Sequence, residues 1–219
     1  MVKISAIITA AGKNSRMRTD QIKNKIPITN KLLLLLNDST VIENTINNVL
    51  SSNIDDCIIV LGHFAEEIEK IILKIEDERI SMVKNDPIDV NLSQSLLNGI
   101  SQSNADFVLC VAGDQPFVSK FTYNSILNRI LNFKFSEKTI SILRRREKGL
   151  LKTAEGLGMP FAAHRLELSE YLKNENDNLN PILKKMFDDG FIFYGLEEEN
   201  KNELININRL KDYNLILKK

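Results

Sequence analysis

A chain of 219 residues with 43% hydrophobic content is long enough to bury a sizeable α/β core, and one domain over residues 1–219 is the expectation. Its 29 basic and 29 acidic residues cancel, so the molecule lacks the positive field that draws proteins nonspecifically to nucleic acid or anionic membrane, and any anion site must be local. Cys57 and Cys110 each lie inside an apolar run, which fits reduced core thiols rather than a disulfide framework or a zinc site. With no signal-peptide pattern and no apolar stretch of bilayer length, the sequence predicts a cytoplasmic protein without a membrane partner.

Short β-branched runs alternate with stretches of helical period, the pattern of strand-helix-strand units that build a mostly parallel sheet. In chain order, strands are predicted over Ile4 to Thr9, Cys57 to Leu61, Ile80 to Lys84, Phe107 to Ala112 and Thr139 to Leu143. Helices are predicted between them: Val41 to Leu50; "HFAEEIEKIILKI", with Phe64, Ile68, Ile71, Ile72 and Ile75 on one stripe; "NLSQSLLNGI"; and "SKFTYNSILNRIL", for which Ser119 is a ready N-cap. Arg18 to Asn30 reads as a long basic loop. Beyond residue 145 the order changes. "MPFAAHR", "FIFYGL" and "ELININ" read as strands, "LSEYLKN", "NPILKKMFDDG" and "RLKDYNLIL" as helices, and "KNENDNLNP" as an exposed loop.

Ligands of open parallel sheets gather at the carboxyl ends of strands. After the first predicted strand come Ala10, Ala11 and Gly12, then Lys13, Asn14, Ser15 and Arg16. Small residues let the backbone approach a ligand, successive N–H groups form an anion nest, and Arg16 adds a bidentate phosphate donor. A plain turn with solvated charges explains the same residues. The stretch has neither the P-loop spacing nor the dinucleotide glycine fingerprint. Further on, Lys31 precedes five leucines, and Gly113-Asp114-Gln115-Pro116 follows another strand. A carboxylate at a strand end beside a phosphate turn is where a divalent cation bridges phosphate oxygens, which makes Asp114 the best metal-ligand candidate; ordinary turn chemistry is the alternative.

Together, "AAGKNSRM" with "KLLLLL" and "GDQPFV" resemble the signature segments of the nucleotidyltransferases similar to molybdopterin cytidylyltransferase and molybdopterin guanylyltransferase. "VIENTINNVL", "IIVLGHFAEEI", "NLSQSLLNGI", "GMPFA" and the terminal "LININRLKDY" follow in that family's order. The resemblance implies a three-layer α/β sandwich around a mostly parallel sheet, Rossmann-like and of the nucleotide-diphospho-sugar transferase (GT-A-like) type. It further implies a Mg²⁺-dependent transfer of a nucleoside monophosphate, CMP from CTP first and GMP from GTP next, to a phosphorylated small molecule such as molybdopterin. Sugar phosphates, polyol phosphates and cobinamide phosphate are alternative acceptors, and a non-catalytic nucleotide or cofactor binder is a second reading.

Carried over residue by residue, the resemblance assigns Arg16 to the leaving β- and γ-phosphates and Lys31 to the α-phosphate or the acceptor phosphate. Ala10, Ala11 and Gly12 border the nucleotide, with Ser93 and Ser95 as candidates for its base or ribose and Asn85 a weaker one. Asp114 and Asn208 become metal ligands, with Asn206 in reserve; a strand edge and a helix cap are the ordinary explanation of the two asparagines. The chain departs from the family at Arg18, Met159 and Arg209-Leu210-Lys211, which bears on the acceptor pocket. "RRREKGLLK" (144–152) is a solvated basic loop or an acceptor contact, and His63 and His164 are given structural roles.

Overall fold

A computed structural model of the chain describes residues 2–144, 147–173 and 178–217. The first strand, β1 (Ile4–Ala10), is flanked in parallel by β4 (Asp56–Leu61) and β6 (Phe107–Ala112). β1 sends Ile4, Ala6, Ile8 and Ala10 into one core cluster and Ile7 into the other. Ser5, on the second face, is buried and shares a 2.7 Å hydrogen bond with the Ser103 hydroxyl. Strands buried on both faces must be apolar almost throughout, which is why these three were readable as continuous hydrophobic runs.

The eight-stranded sheet is completed by β5 (Ile80–Lys84), β7 (Thr139–Leu143), β8 (Gly149–Leu150), β9 (Phe161–His164) and β10 (Ile192–Leu196), in the order β5-β4-β1-β6-β9-β7-β10-β8. β9 runs antiparallel between β6 and β7, and β8 antiparallel to β10; the remaining pairs are parallel. Helices α2 (Val41–Leu50), α3 (Ala65–Ile72) and α5 (Lys120–Leu131) cover one face, and α4 (Leu92–Ile100), α6 (Arg165–Leu172) and α7 (Leu179–Asp188) the other. The arrangement is the expected three-layer α/β sandwich. Ser119 caps α5 by accepting from Thr122 N, and Thr40 forms a capping box with Glu43 at the start of α2. Among the described residues, no helix is long and apolar enough to cross a membrane.

Two elements differ from the sequence reading. The first half of the supposed basic loop is helix α1 (Ser15–Lys23), and only Met17 and Gln21 of it are buried. It lacks an apolar stripe. Instead the Gln21 amide exchanges hydrogen bonds with the Thr29 backbone, holding the helix to the return segment. "ELININ" is not a strand: Lys201–Leu204 forms a 3₁₀ turn, followed by irregular chain to Asn208 and helix α8 (Leu210–Leu217). Its alternation arises from Ile207, fully buried, between Asn206 and Asn208, which line a cavity; Glu203 turns inward to cap α5, where it accepts from Ser119 N, Thr122 Oγ1 and Glu199 N. A small hairpin, β2 (Leu35–Leu36) with β3 (Ser39–Thr40), lies hidden in the leucine run.

From β1 the chain first pairs outward through β4 and β5, then crosses back to β6 on the other side of β1. The carboxyl ends of β1 and β6 therefore frame the topological switch point, where the fold leaves a crevice.

Candidate active site

The phosphate-type turn leaves β1 at Ala10 and enters α1 through Asn14, which adopts a left-handed conformation (φ 59°, ψ 22°) that asparagine tolerates better than most residues. The Asn14 side chain does not cap the helix. It donates to Thr29 O at 3.0 Å and accepts from Lys31 N at 3.2 Å, so one residue fixes both the start of α1 and the backbone of Lys31. The uncapped end of α1 points positive partial charge at whatever lies before it. Gly12 faces open space: a Cβ built there would meet no protein atom within 4 Å. Gly62, after β4, is the opposite case, since its Cβ would lie 2.8 Å from that of Ala11. Lys13, by contrast, is turned aside into an exposed 2.6 Å ion pair with Asp89, whose carboxyl it holds below the usual carboxylate range through their hydrogen bond.

After β6 the chain turns through Gly113-Asp114-Gln115-Pro116. The Gly113 carbonyl accepts from Thr45 of α2, and the Asp114 carbonyl accepts from Ile207 N at 3.0 Å. That last bond draws the Asn206–Asn208 segment against the turn. Lys31 reaches in from the other side, its ammonium contacting Asp114 Oδ2 and donating to Asn208 Oδ1 at 3.0 Å. The Asn208 side chain is therefore not the cap of α8; Asp212 takes that role by accepting from Asn208 N and Arg209 N.

Around these groups lies a cavity of about 430 Å³ whose lining includes Ala10, Ala11, Gly12, Arg16, Lys31, Ser95, Asp114, Asn206 and Asn208. Residues far apart in sequence thus open onto one space within the usual size range of small-molecule sites. Ser93 does not reach that lining: it is fully buried in the first turn of α4. Ser95 does, and Asn85, buried at the end of β5, donates to its hydroxyl at 2.9 Å. A more open cavity of about 610 Å³ shares Arg16, Gly158, Asn206 and Asn208 with the first and is also lined by Arg209 and Lys211. Arg209 is paired there with Asp20 of α1 at 3.0 Å.

Sequence reasoning missed Gln115. Its side chain is fully buried; it donates to the Met159 carbonyl at 2.8 Å and to Asn206 Oδ1 at 3.2 Å, and accepts from Ala112 N at 3.2 Å. It ties three segments of the cavity wall together. A single polar residue in a turn carries no periodic signal that would reveal this. The basic segment 144–152 is partly outside the described residues (145–146), as is part of the predicted loop 173–181 (174–177). In the basic segment, Arg144 pairs with Glu197 and Glu198, and Lys148 with Glu197. His63 lies 3.9 Å from Asp89, and His164 packs edge-on against Phe107. Cys57 and Cys110 are free and buried. Burial pushes the Cys57 thiol up to about 12 and raises that of Cys110 as well, so both are neutral and inert near pH 7.

The donor set suits a hard divalent cation shared with a phosphorylated ligand. Asp114 Oδ1 is buried without a hydrogen-bond partner, an orphaned oxygen on the carboxylate that shares the Lys31 ammonium with the amide oxygen of Asn208. Among the described residues, no group of three or more His, Cys, Asp or Glu is placed to hold a metal by itself. Mg²⁺ commonly takes one or two carboxylates and completes its shell with water and substrate phosphate.

A nucleotidyl transferase from Methanothermobacter thermautotroptrophicus is 42% identical to this chain and superposes with a TM-score of 0.90, over 99% of this chain and 98% of that one. A 4-diphosphocytidyl-2C-methyl-D-erythritolsynthase from Anaerococcus prevotii shares the fold at 20% identity and a TM-score of 0.71, covering 100% and 97% of the two chains. The bifunctional protein GlmU of Alkaliphilus oremlandii is 26% identical over 158 residues, 71% of this chain and 32% of that protein. The chain thus spans no more than about a third of the length of the curated relatives it matches. Residues 6–186 match the family model described as the MobA-like NTP transferase domain. With the turn after β1, the Asp114 turn and the switch-point cavity in place, the chain belongs to the MobA-like NTP transferase family.

Proposed function

We propose that the protein is a Mg²⁺-dependent nucleotidyltransferase that moves a nucleoside monophosphate, CMP from CTP first and GMP from GTP next, onto a phosphorylated small molecule such as molybdopterin, with release of pyrophosphate. The observation that carries this reading is the convergence of Arg16, Lys31, Asp114 and Asn208 with the Ala10–Gly12 turn on one cavity. Family membership supports the reaction class. Ala10-Ala11-Gly12, in place of an Ala-Gly-Gly turn, is the ground for ranking CTP first.

In the proposed reaction an oxygen of the acceptor phosphate attacks the α-phosphorus, a P–O bond forms there, and the bond from that phosphorus to the bridging β-phosphate oxygen breaks. The attacking oxygen is already anionic at neutral pH, so no general base is needed. What the protein must supply is alignment of two anions and neutralisation of their charge. In this reading the backbone at Gly12 and the end of α1 hold the triphosphate, and Arg16 draws the departing pyrophosphate. Lys31 offsets charge at the α-phosphate. Ser95, positioned by Asn85, meets the base or ribose. Asp114 and Asn208 hold the metal, with Asn206 in reserve; when bound, Mg²⁺ supplies Lewis-acid stabilisation of charge on the phosphate oxygens. The acceptor enters through the second cavity, where Lys211 adds positive charge beyond Arg16.

The test is pyrophosphate release with each of CTP, GTP, UTP and ATP plus Mg²⁺, against molybdopterin and a set of sugar, polyol and cobinamide phosphates. Release that depends on one NTP and one acceptor class, and is lost in Asp114→Ala, supports the reading. A protein that binds an NTP yet releases no pyrophosphate with any acceptor is instead a non-catalytic binder, the reading that the departures at Arg18 and Met159 favour.

A further inference from the structure

Lys31 occupies an unusual place for a phosphate-binding lysine. Its backbone is fixed, because its N–H is held by Asn14 and it opens a short 3₁₀ turn, Lys31–Leu33, whose N-cap Asn30 accepts from Leu32 N at 2.8 Å. Only the side chain has freedom to move. Its ammonium sits on Asp114 Oδ2 and Asn208 Oδ1, the same two groups to which the metal is assigned above. Both ion-pair partners are largely shielded, with side-chain exposures of 18% and 11%. A compact ammonium and a divalent cation on one carboxylate would repel each other strongly in so dry a setting.

We infer that Lys31 is an internal competitor for the divalent cation, and that loading of the metal displaces its ammonium from Asp114 and Asn208. The inference rests on the metal assignment proposed above. Asp114 Oδ1, buried and without a hydrogen-bond partner, gives an arriving cation a first ligand before the ammonium contact is broken. The displaced Nζ, on a fixed backbone in the same cavity as the Ala10–Gly12 turn, regains an opposite charge from an anion bound there. A triphosphate provides it. Metal and nucleotide therefore bind with positive coupling, each strengthening the other by the same factor. The protein alone holds metal weakly, because only the fraction of molecules with Lys31 swung away is competent.

The probe is Mn²⁺, followed by the loss of the free-ion EPR signal as it binds the full chain at fixed pH. Without nucleotide, Lys31→Met should bind Mn²⁺ about tenfold more tightly than the wild type, as expected if the ammonium occupies the site roughly nine-tenths of the time. Adding Asp114→Asn to Lys31→Met should erase the gain. Lys31→Arg, which keeps a cation on the carboxylate, should stay near the wild-type affinity. With saturating CTP, the advantage of Lys31→Met should shrink or reverse.

Equal or weaker Mn²⁺ binding by Lys31→Met, while CTP still promotes Mn²⁺ binding to the wild type, overturns the competition and leaves the proposed function standing. No Mn²⁺ binding by any form, with or without CTP, overturns both. If Lys31→Met does not fold, acetylation of Lys31 in the wild type gives the answer. Mn²⁺ alone should raise its rate several-fold, and an unchanged rate refutes displacement.

Discussion

Gly12 separates what the fold needs from what a ligand needs. Its backbone is outside the left-handed region and a Cβ would meet no protein atom within 4 Å, so Gly12→Ala should alter folding stability by no more than about 0.5 kcal/mol. For a domain of this size that is a melting shift of roughly 2 °C or less. The same methyl would intrude on a phosphate held by the turn. Overpacking costs about 1–3 kcal/mol, and the middle value corresponds to a roughly thirtyfold loss of affinity. Wild type with CTP and Mg²⁺ at a hundred times Kd gains about 2.7 kcal/mol, or roughly 5–11 °C. At the same concentration the variant should retain about 0.9 kcal/mol and roughly 2–4 °C. Gly99→Ala provides the reverse case, because its Cβ would lie 2.6 Å from Ile7 Cγ2 and Val60 Cγ2 in the core. Set against the helix-propensity gain, overpacking there should cost up to about 2 kcal/mol and lower the melting temperature by up to roughly 8 °C, with the CTP shift intact. Differential scanning fluorimetry reads both. A Gly12→Ala protein that keeps the full CTP shift, or that melts more than about 5 °C lower without ligand, refutes the reasoning.

Gln115→Ala removes three hydrogen bonds from a fully buried side chain and should cost about 3 kcal/mol in urea unfolding, with a raised nucleotide KM; a loss below about 1 kcal/mol would mean these bonds do not lock the cavity wall. Glu203→Gln keeps shape but sets an amide N–H₂ against donors that the carboxylate now accepts, and should destabilise by about 2–3 kcal/mol in the same assay. Cys57 keeps its proton in the folded state to about 12 whereas the unfolded thiol loses it near 9.0, so the unfolded chain binds fewer protons across that window. Stability should then fall as pH rises from 9 toward 12, by about 1.4 kcal/mol per pH unit for this thiol. Urea unfolding of the wild type at pH 8 to 11 should show a steeper decline than Cys57→Ala; equal slopes would refute the assignment.

The inner strands were legible because burial on both faces demands apolar residues nearly without interruption, as in Phe107–Ala112. Ser119 announced its helix by residue type alone, since a hydroxyl ahead of an apolar stripe satisfies a free N–H. α1 was illegible for a matching reason: it is held by Met17, by the Gln21 amide and by Asp20 meeting Arg209, none of which repeats with a helical period. "ELININ" misled because Ile207 is buried between Asn206 and Asn208, which face a cavity, imitating the alternation of a half-buried strand. In the site, Arg16 and Asp114 stood out as charges after predicted strands, and Lys31 by its resemblance to a family signature ahead of the leucine run. Gln115 and Asn14 did not, because their work is done through hydrogen bonds to segments far away in sequence. The pairing of Lys31 with Asp114 was equally hidden, since spacing along a chain says nothing of which cation neutralises which anion.

In the proposed function the cavity takes a triphosphate together with a divalent cation held by Asp114. Isothermal titration of CTP into wild type and Asp114→Ala, each with and without Mg²⁺, tests it directly. Mg²⁺ should tighten CTP binding to the wild type by at least about tenfold and leave the variant unchanged. Equal enhancement by Mg²⁺ in both proteins, or none in the wild type, would contradict it.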